Sequence, residues 1–441
     1  MAWETKLRAW LTEPAYGLAA LRIAVVGILL LSPELHQAPE LARSPELLVA
    51  SPEGLGWLAG VRLAPDLVAW VRVLAVSAGA TALLGYWTRL SCALFAASAA
   101  FLISFSERVG APLHGMHMLW LVTLLAASRS GDVWSLDAWG EPPPPPSLRY
   151  GVPLCFARAL LGVVYLFPGV HKLKSAGFAW AQASNLLAIM HDKWFQHGRL
   201  PLIRFDRYPQ LVGLAGALVL AFELSFIVLA LVPRTRLLAL AAGLSFHVAT
   251  QLGFFISFPS LWVCYVVLLP WPRSFAERRA AWREYRPAFG EAWPWPAVAV
   301  GCLLLLGSGV AGVRGQTRGY PFACYPTFAG IFPPVAPDLV VELVAADSRA
   351  LRLERDFARP RSQQAWGQVY WLMGAYGGVA SDEQLRRWAV GRVHTKAERA
   401  ALARATTLRF LIASYATEPQ RWGQPPVAVR VLRQVPVGPL R

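Results

Sequence analysis

Charge is what this sequence has least of. Asp, Glu, Lys and Arg make up 15% of its 441 residues, whereas 56% are hydrophobic and the mean hydropathy is +0.42. Soluble domains carry roughly 25% charged residues, so this composition excludes an ordinary soluble chain and indicates a polytopic membrane protein. Acidic residues are the scarcer sign, 26 against 42 basic, for a net charge of +16. In a membrane chain that surplus suits cytoplasmic loops and anionic headgroups. No basic motif with interleaved aromatics stands out, so nucleic acid is not an expected partner. Cysteine is also sparse. Cys92, Cys155, Cys264, Cys302 and Cys324 form no CxxC pair and lie mostly in apolar runs, which argues against a cysteine-ligated metal. No internal repeat is evident, which argues against a transporter.

What the chain does have is apolar runs. About nine are long enough to consider as spans, at 17–33, 66–86, 90–105, 113–128, 150–167, 209–232, 236–256, 258–272 and 295–313. The first follows Lys6 and Arg8 and resembles a signal sequence. Arg22 interrupts it, and Ser32-Pro33-Glu34 is a poor cleavage site, so it reads as a retained span. Arginine-rich turns at Arg89, Arg234/Arg236 and 273–292 put the N-terminus in the cytoplasm and the C-terminus outside. Glu141 and Pro142–Pro146 form a stiff linker between the first four spans and the rest. The outer loop 168–208 breaks the charge rule with His171, Lys172, Lys174, Lys193, Arg199, Arg204 and Arg207. Two readings are open for it: a site for an anionic ligand, or an interfacial helix from Trp180 to Trp194.

After Val313 the sequence turns polar. Leu339–Val344 and Ala350–Leu353 read as a strand pair around Asp347-Ser348. Ser381–Gln384 and Thr395–Glu398 are capping boxes, the second opening a helix to about Ser414, and Val427–Val431 alternates like a closing strand. The expected architecture is an all-α polytopic membrane bundle over 1–313 with a small C-terminal α+β extracytoplasmic domain over 314–441.

Three stretches bring titratable groups into apolar context: His114 with His117, then His171-Lys172-Leu173-Lys174, then His247 with Thr250. On the expected topology all three lie toward the outer face and could share one pocket. His114 and His117 could be half of a metal site, but no carboxylate or cysteine partner is near, so no metal is expected. Lys174 reads as a lysine snorkelling to the surface. Lys172 is harder to dismiss, because a charged side chain at mid-span costs about 2.5–3.5 kcal/mol. Burial favours a neutral amine, which can act as a general base. Glu223 is an intramembrane carboxylate in need of a partner, with Arg22 and Arg72 as candidates; a structural ion pair would also explain it.

Together these stretches resemble the vitamin K-dependent γ-carboxylase superfamily, whose members share the horizontally transferred transmembrane (HTTM) domain. Pro168-Gly169-Val170-His171-Lys172-Leu173, with Trp180 after it, is similar to that family's lysine motif, His171 standing where the family has a first lysine. His114 precedes Trp134-Ser135-Leu136-Asp137 at the family's separation, and Phe246-His247-Val248-Ala249-Thr250 with Phe254 matches a further motif. Tyr320-Pro321-Phe322-Ala323-Cys324-Tyr325-Pro326 resembles bacterial members. The resemblance implies a bacterial inner-membrane enzyme using a reduced quinone (vitamin K or menaquinol), oxygen and carbon dioxide to carboxylate glutamate in a peptide. It implies Lys172 as the quinol base, assisted by His114, in a pocket including His247, His171, His117, Trp180 and Thr250. The alternative is a non-catalytic membrane protein that binds a quinone, a lipid or a partner subunit.

Overall fold

The computed structural model describes residues 2–43, 63–108, 115–271, 291–317, 319–324, 328–353, 381–391, 393 and 395–437. The helices are α1 (Ala2–Trp10), α2 (Tyr16–Leu30), α3 (Pro33–Leu41), α4 (Pro65–Leu84), α5 (Thr88–Arg108), α6 (Met116–Ala126), α7 (Leu148–Ala176), α8 (Ala183–His197), α9 (Pro209–Leu231), α10 (Arg236–Phe254), α11 (Pro259–Cys264) and α12 (Trp295–Arg314). Two polar helices, α13 (Asp382–Val390) and α14 (Lys396–Arg404), accompany strands β1 (Val335–Ala345), β2 (Ala350–Arg352), β3 (Ala405–Ala416) and β4 (Ala428–Pro436).

Among the described residues, seven helices are long and apolar enough to cross a membrane: Tyr16–Leu41, Pro65–Leu84, Thr88–Arg108, Leu148–Ala181, Pro209–Leu231, Arg236–Phe254 and Trp295–Arg314. The chain is a multi-pass membrane protein. Two of the expected runs fall on shorter apolar helices, Met116–Ala126 and Pro259–Leu268. α6 is buried over most of its length, so it is an internal element of the bundle. Residues beyond the first expected span also fold inward: α3 buries Leu35, Ala38 and Leu41 against the core.

The longest helix departs most from expectation. α7 does not end at Phe167 but runs to Ala176, through Pro153 and Pro168. Residues 168–176 are therefore helical, not loop. Lys172 and Lys174 lie two residues apart, about 200° around a helix with 3.6 residues per turn. Lys172 is buried and Lys174 exposed. α8 covers most of the expected interfacial helix, but Trp180 and Trp194 turn inward, and the Trp194 indole donates to the Gly253 carbonyl at 2.7 Å.

The Trp134-Ser135-Leu136-Asp137 motif has a structural task. The Asp137 carboxylate accepts from the N–H of Trp87 and Thr88, both at 2.8 Å, and from the Thr88 hydroxyl at 2.6 Å, capping the start of α5. Partial burial opposes the charged form, but these hydrogen bonds and nearby Arg22 hold the carboxyl below its ordinary range. Arg22 itself donates to the Trp134 carbonyl at 2.5 Å, and Arg72 to the His36 carbonyl at 3.3 Å. Neither arginine is the partner of Glu223.

A second polar knot ties the chain's first turn to the bundle. Glu13 accepts from both terminal nitrogens of Arg158, at 2.6 and 2.7 Å, and from Arg236 at 2.9 Å. Arg158 also donates Nε to the Val267 carbonyl at 2.8 Å, so one carboxylate joins the segment before α2 to α7, α10 and the stretch after α11.

The four-stranded sheet has the order β2-β1-β3-β4, all antiparallel. Both capping boxes form. The second helix does not reach Ser414, however: it stops at Arg404, and Ala405–Ala416 is the central strand β3. Thr406, Thr407, Phe410 and Ile412 favour an extended chain, and pairing on both sides overrides the helical pattern. Leu339, Val341, Leu408, Phe410 and Ile412 pack a core of their own with α13 and α14.

Two outcomes test this architecture. Glu13→Gln leaves the guanidinium of Arg158 buried without its carboxylate and is expected to cost about 3–5 kcal/mol, seen as a lowered thermal midpoint in detergent; an unchanged midpoint contradicts the clasp. In the sheet, burial pushes Asp338 up from 3.8 to about 6, with Arg352 and the Leu339 N–H acting in the opposite sense. The folded state then binds this proton more tightly than the unfolded chain, so its contribution is present at low pH and is lost as pH rises from about 4 through about 6. Hydrogen-exchange protection of β1 and β3 amides is expected to fall across that window, and Asp338→Asn to flatten the fall.

Candidate functional site

The site begins with a close helix contact. A Cβ on Gly162 would lie 2.5 Å from the Ile227 side chain, and one on Gly169 3.0 Å from the Glu223 Cβ. Two glycines a helical repeat apart thus let α9 lie directly on α7, as small residues do in membrane interfaces. That approach brings Glu223 to Lys172. The Lys172 ammonium donates to Glu223 Oε1 at 2.5 Å, with the two residues 5% and 4% exposed. The same Nζ lies 4.8 Å from the centroid of the Trp180 ring, a cation–π contact in a desolvated setting. Glu223 Oε2 has no hydrogen-bond partner among the described residues.

A second polar group lies in the same cavity wall. His247, 1% exposed, shares a 2.8 Å hydrogen bond through Nε2 with the Tyr165 hydroxyl, which in turn pairs with the Tyr265 hydroxyl at 2.5 Å. Nδ1 of His247 has no hydrogen-bond partner among the described residues. Phe222, Phe226, Phe246 and Phe258 pack around Tyr165 and His247.

Lys172, Trp180, Glu223, Tyr165 and His247 line one cavity of about 700 Å³ between α7, α8, α9 and α10, with Tyr265 behind it. The rest of its wall is mostly apolar and aromatic, including Ile189, Met190, Val212, Phe222, Phe246 and Phe254. Phe328, from the segment leading to the sheet, also contributes. Its carbonyl accepts from the Trp180 indole at 2.5 Å, and Phe332 N–H donates to the Asn185 side chain at 2.8 Å. The chain toward the sheet is thereby fastened to the ring that carries Lys172.

Of the expected site residues, the structure gathers Lys172, Trp180, His247 and Thr250 around this cavity. Thr250 is engaged with its own helix, its hydroxyl donating to the His247 carbonyl at 3.0 Å. His171 points elsewhere: its Nε2 contacts the Gly312 carbonyl at 2.7 Å on α12. His117 is buried at the start of α6, outside the cavity lining. His114 lies outside the described residues. Of the Tyr320–Pro326 motif, Tyr320 donates its hydroxyl to the Ala100 carbonyl, and the Pro321 carbonyl accepts from the Trp120 indole at 2.8 Å. Tyr325 and Pro326 lie outside the described residues.

Two groups were missed in the sequence. Tyr165 precedes Lys172 by two helical turns and so shares its face, a periodicity that could have flagged it. Tyr265 belongs to a short apolar run and carries no such signal.

Chemically, the arrangement offers a buried ion pair, an imidazole held by a tyrosine hydroxyl and a large, mostly apolar wall. A family model described as the HTTM domain matches residues 54–271, a stretch that contains Tyr165, Lys172, Glu223, His247 and Tyr265. No curated protein and no solved structure matches the chain.

The hydroxyl network makes its own prediction. Tyr165→Phe keeps the ring packing but strands His247 Nε2, an unsatisfied buried group worth about 1–3 kcal/mol. A drop in thermal midpoint with an unaltered helical spectrum is the expected result; no drop would mean that the hydroxyl has no stabilising role.

Proposed function

We propose that this HTTM-domain protein binds a lipophilic hydroxylated ring, a reduced quinone of the vitamin K or menaquinol type, and removes a proton from it with the Lys172–Glu223 pair. The observation that carries this reading is a buried ion pair set in the wall of a largely apolar cavity. An ionisable pair inside a membrane bundle marks a functional site by default. The polar side chains of Glu223 and His247 in the cavity wall suit a ring hydroxyl, and the aromatic residues around them suit the ring. Reduced quinone supplies, with oxygen, the driving force for carboxylating glutamate in a peptide with carbon dioxide. The chain's own residues bind, orient and deprotonate. Phe222, Phe246 and Trp180 exclude water, His247 is held in one orientation by Tyr165, and Lys172 compensates negative charge developing at the ring oxygen.

The same reading places the chain in a bacterial inner membrane, with the N-terminus in the cytoplasm, all nine apolar runs crossing and residues 314–441 outside. The arginine-rich turns support that orientation. A basic outer surface would draw in an acidic peptide.

A second reading has one observation in its favour. The Lys172 ammonium is already satisfied by Glu223 and Trp180, as in a structural ion pair. On that reading the cavity binds a quinone, a lipid or a partner subunit without turnover.

The test uses purified protein with reduced menaquinone or vitamin K, oxygen, labelled bicarbonate and a glutamate peptide. Wild type is expected to form epoxide and incorporate label, and Lys172→Ala to lose at least 100-fold of both. If neither product rises above the Lys172→Ala background with several quinols, the enzymatic reading is lost and the binding one stands.

A further inference from the structure

A second cleft, of about 670 Å³, shares no lining residue with the Lys172 cavity. It forms where α4 ends at Leu84 and α5 begins at Thr88. Both helices are long and apolar enough to cross a membrane, so the turn between them lies at a membrane surface. The loop after α6 is fastened to that turn: Leu136 N–H donates to the Leu84 carbonyl at 3.0 Å and Asp137 N–H to the Gly85 carbonyl at 2.9 Å. Arg129, Asp132, Asp137 and Glu141 thereby line the same cleft as Arg89.

These charges are not equally committed. Asp137 caps α5, and Asp132 accepts from the Tyr150 hydroxyl at 2.7 Å. Arg89 makes one long contact, 3.5 Å to the Ala127 carbonyl. The Arg129 guanidinium and the Glu141 carboxylate are exposed and have no hydrogen bond or ion pair among the described residues.

We propose that this cleft binds the headgroup of a membrane phospholipid of the phosphoethanolamine class, its phosphate on Arg89 and Arg129 and its ammonium on Glu141. Guanidinium groups suit phosphate oxygens, and a carboxylate accepts from an ammonium. The lining carries one carboxylate more than it has guanidinium groups. An anionic lipid would add to that negative excess, whereas a zwitterionic headgroup adds no net charge and meets both signs. Apolar surface continues from the cleft along the helix. Leu90 lines the cleft and is exposed, as is Leu94 one turn further along α5, a track for an acyl chain. Trp87, also in the lining, stacks on Tyr86 with ring centroids 5.5 Å apart, and both are exposed where aromatic side chains meet headgroups.

The test is native mass spectrometry on full-length, delipidated protein in detergent, titrated with phosphatidylethanolamine, phosphatidylcholine or phosphatidylglycerol of matched acyl chains. Phosphatidylethanolamine is expected to bind at least fivefold tighter than either. Arg89→Gln with Arg129→Gln should lower its binding at least tenfold. Glu141→Gln should erase the preference over phosphatidylcholine, whose quaternary ammonium has no N–H to donate. Water-soluble phosphoethanolamine should fail to displace the lipid, because it lacks the acyl chains; displacement at equal concentration would make the ligand a soluble phosphate compound and overturn the lipid assignment. Lipid-free thermal midpoints of the variants should match wild type, because these exposed side chains support little else. Equal binding of the three lipids by wild type overturns the proposal without reference to any variant. So does undiminished phosphatidylethanolamine binding by the double arginine variant.

Discussion

Everything near the cavity follows from one requirement: a lysine inside a membrane bundle must have a counter-charge. Lys172 finds it in Glu223, and the helices are arranged to allow that meeting. Gly162 and Gly169 remove the side chains that would hold α7 and α9 apart. Without that approach both residues would be stranded in an apolar medium, where removing one partner of a buried pair typically costs about 3–5 kcal/mol. The pair then defines the polar end of the cavity, and the aromatic residues of α9 and α10 define the rest.

The bundle uses two other polar devices away from the cavity. The Glu13 knot with Arg158 and Arg236 gathers separate segments onto one carboxylate, and Asp137 caps α5 from a distant loop. Both satisfy groups that a low-dielectric interior would otherwise penalise. At the other end of the site, Trp180 is shared between Lys172, which uses its face, and Phe328, which uses its N–H through the backbone carbonyl.

Much of this was legible in the residues. Runs of apolar side chains identified the helical bundle, because a membrane-spanning backbone is satisfied only in helices or closed barrels, and barrel strands alternate where these runs are continuous. Lys174 read as a surface lysine and Lys172 as the anomaly, although only the structure placed both on one helix. The capping boxes at Ser381 and Thr395 announced their helices through local hydrogen bonds alone. What failed was whatever depended on distant partners. Glu223 was visible as an anomaly, but Arg22 and Arg72 were equally plausible on charge and proved to be engaged elsewhere. Residues 405–414 carried a helical pattern that pairing with β1 and β4 overrode. His171 sits in the lysine motif and yet faces α12, because adjacent residues on a helix point about 100° apart.

The amino-acid sequence by itself determined that this chain is a multi-pass helical membrane protein with a polar sheet-forming tail, since hydrophobic content and period act locally and need no partner. It also determined that Lys172, Glu223 and His247 are anomalies in apolar runs. Only the tertiary structure decided that Lys172 and Glu223 are one ion pair, that Tyr165 holds His247, and that Phe328 reaches the same cavity. Those are contacts between segments from 51 to 148 residues apart in the chain, and only helix packing sets which of them meet.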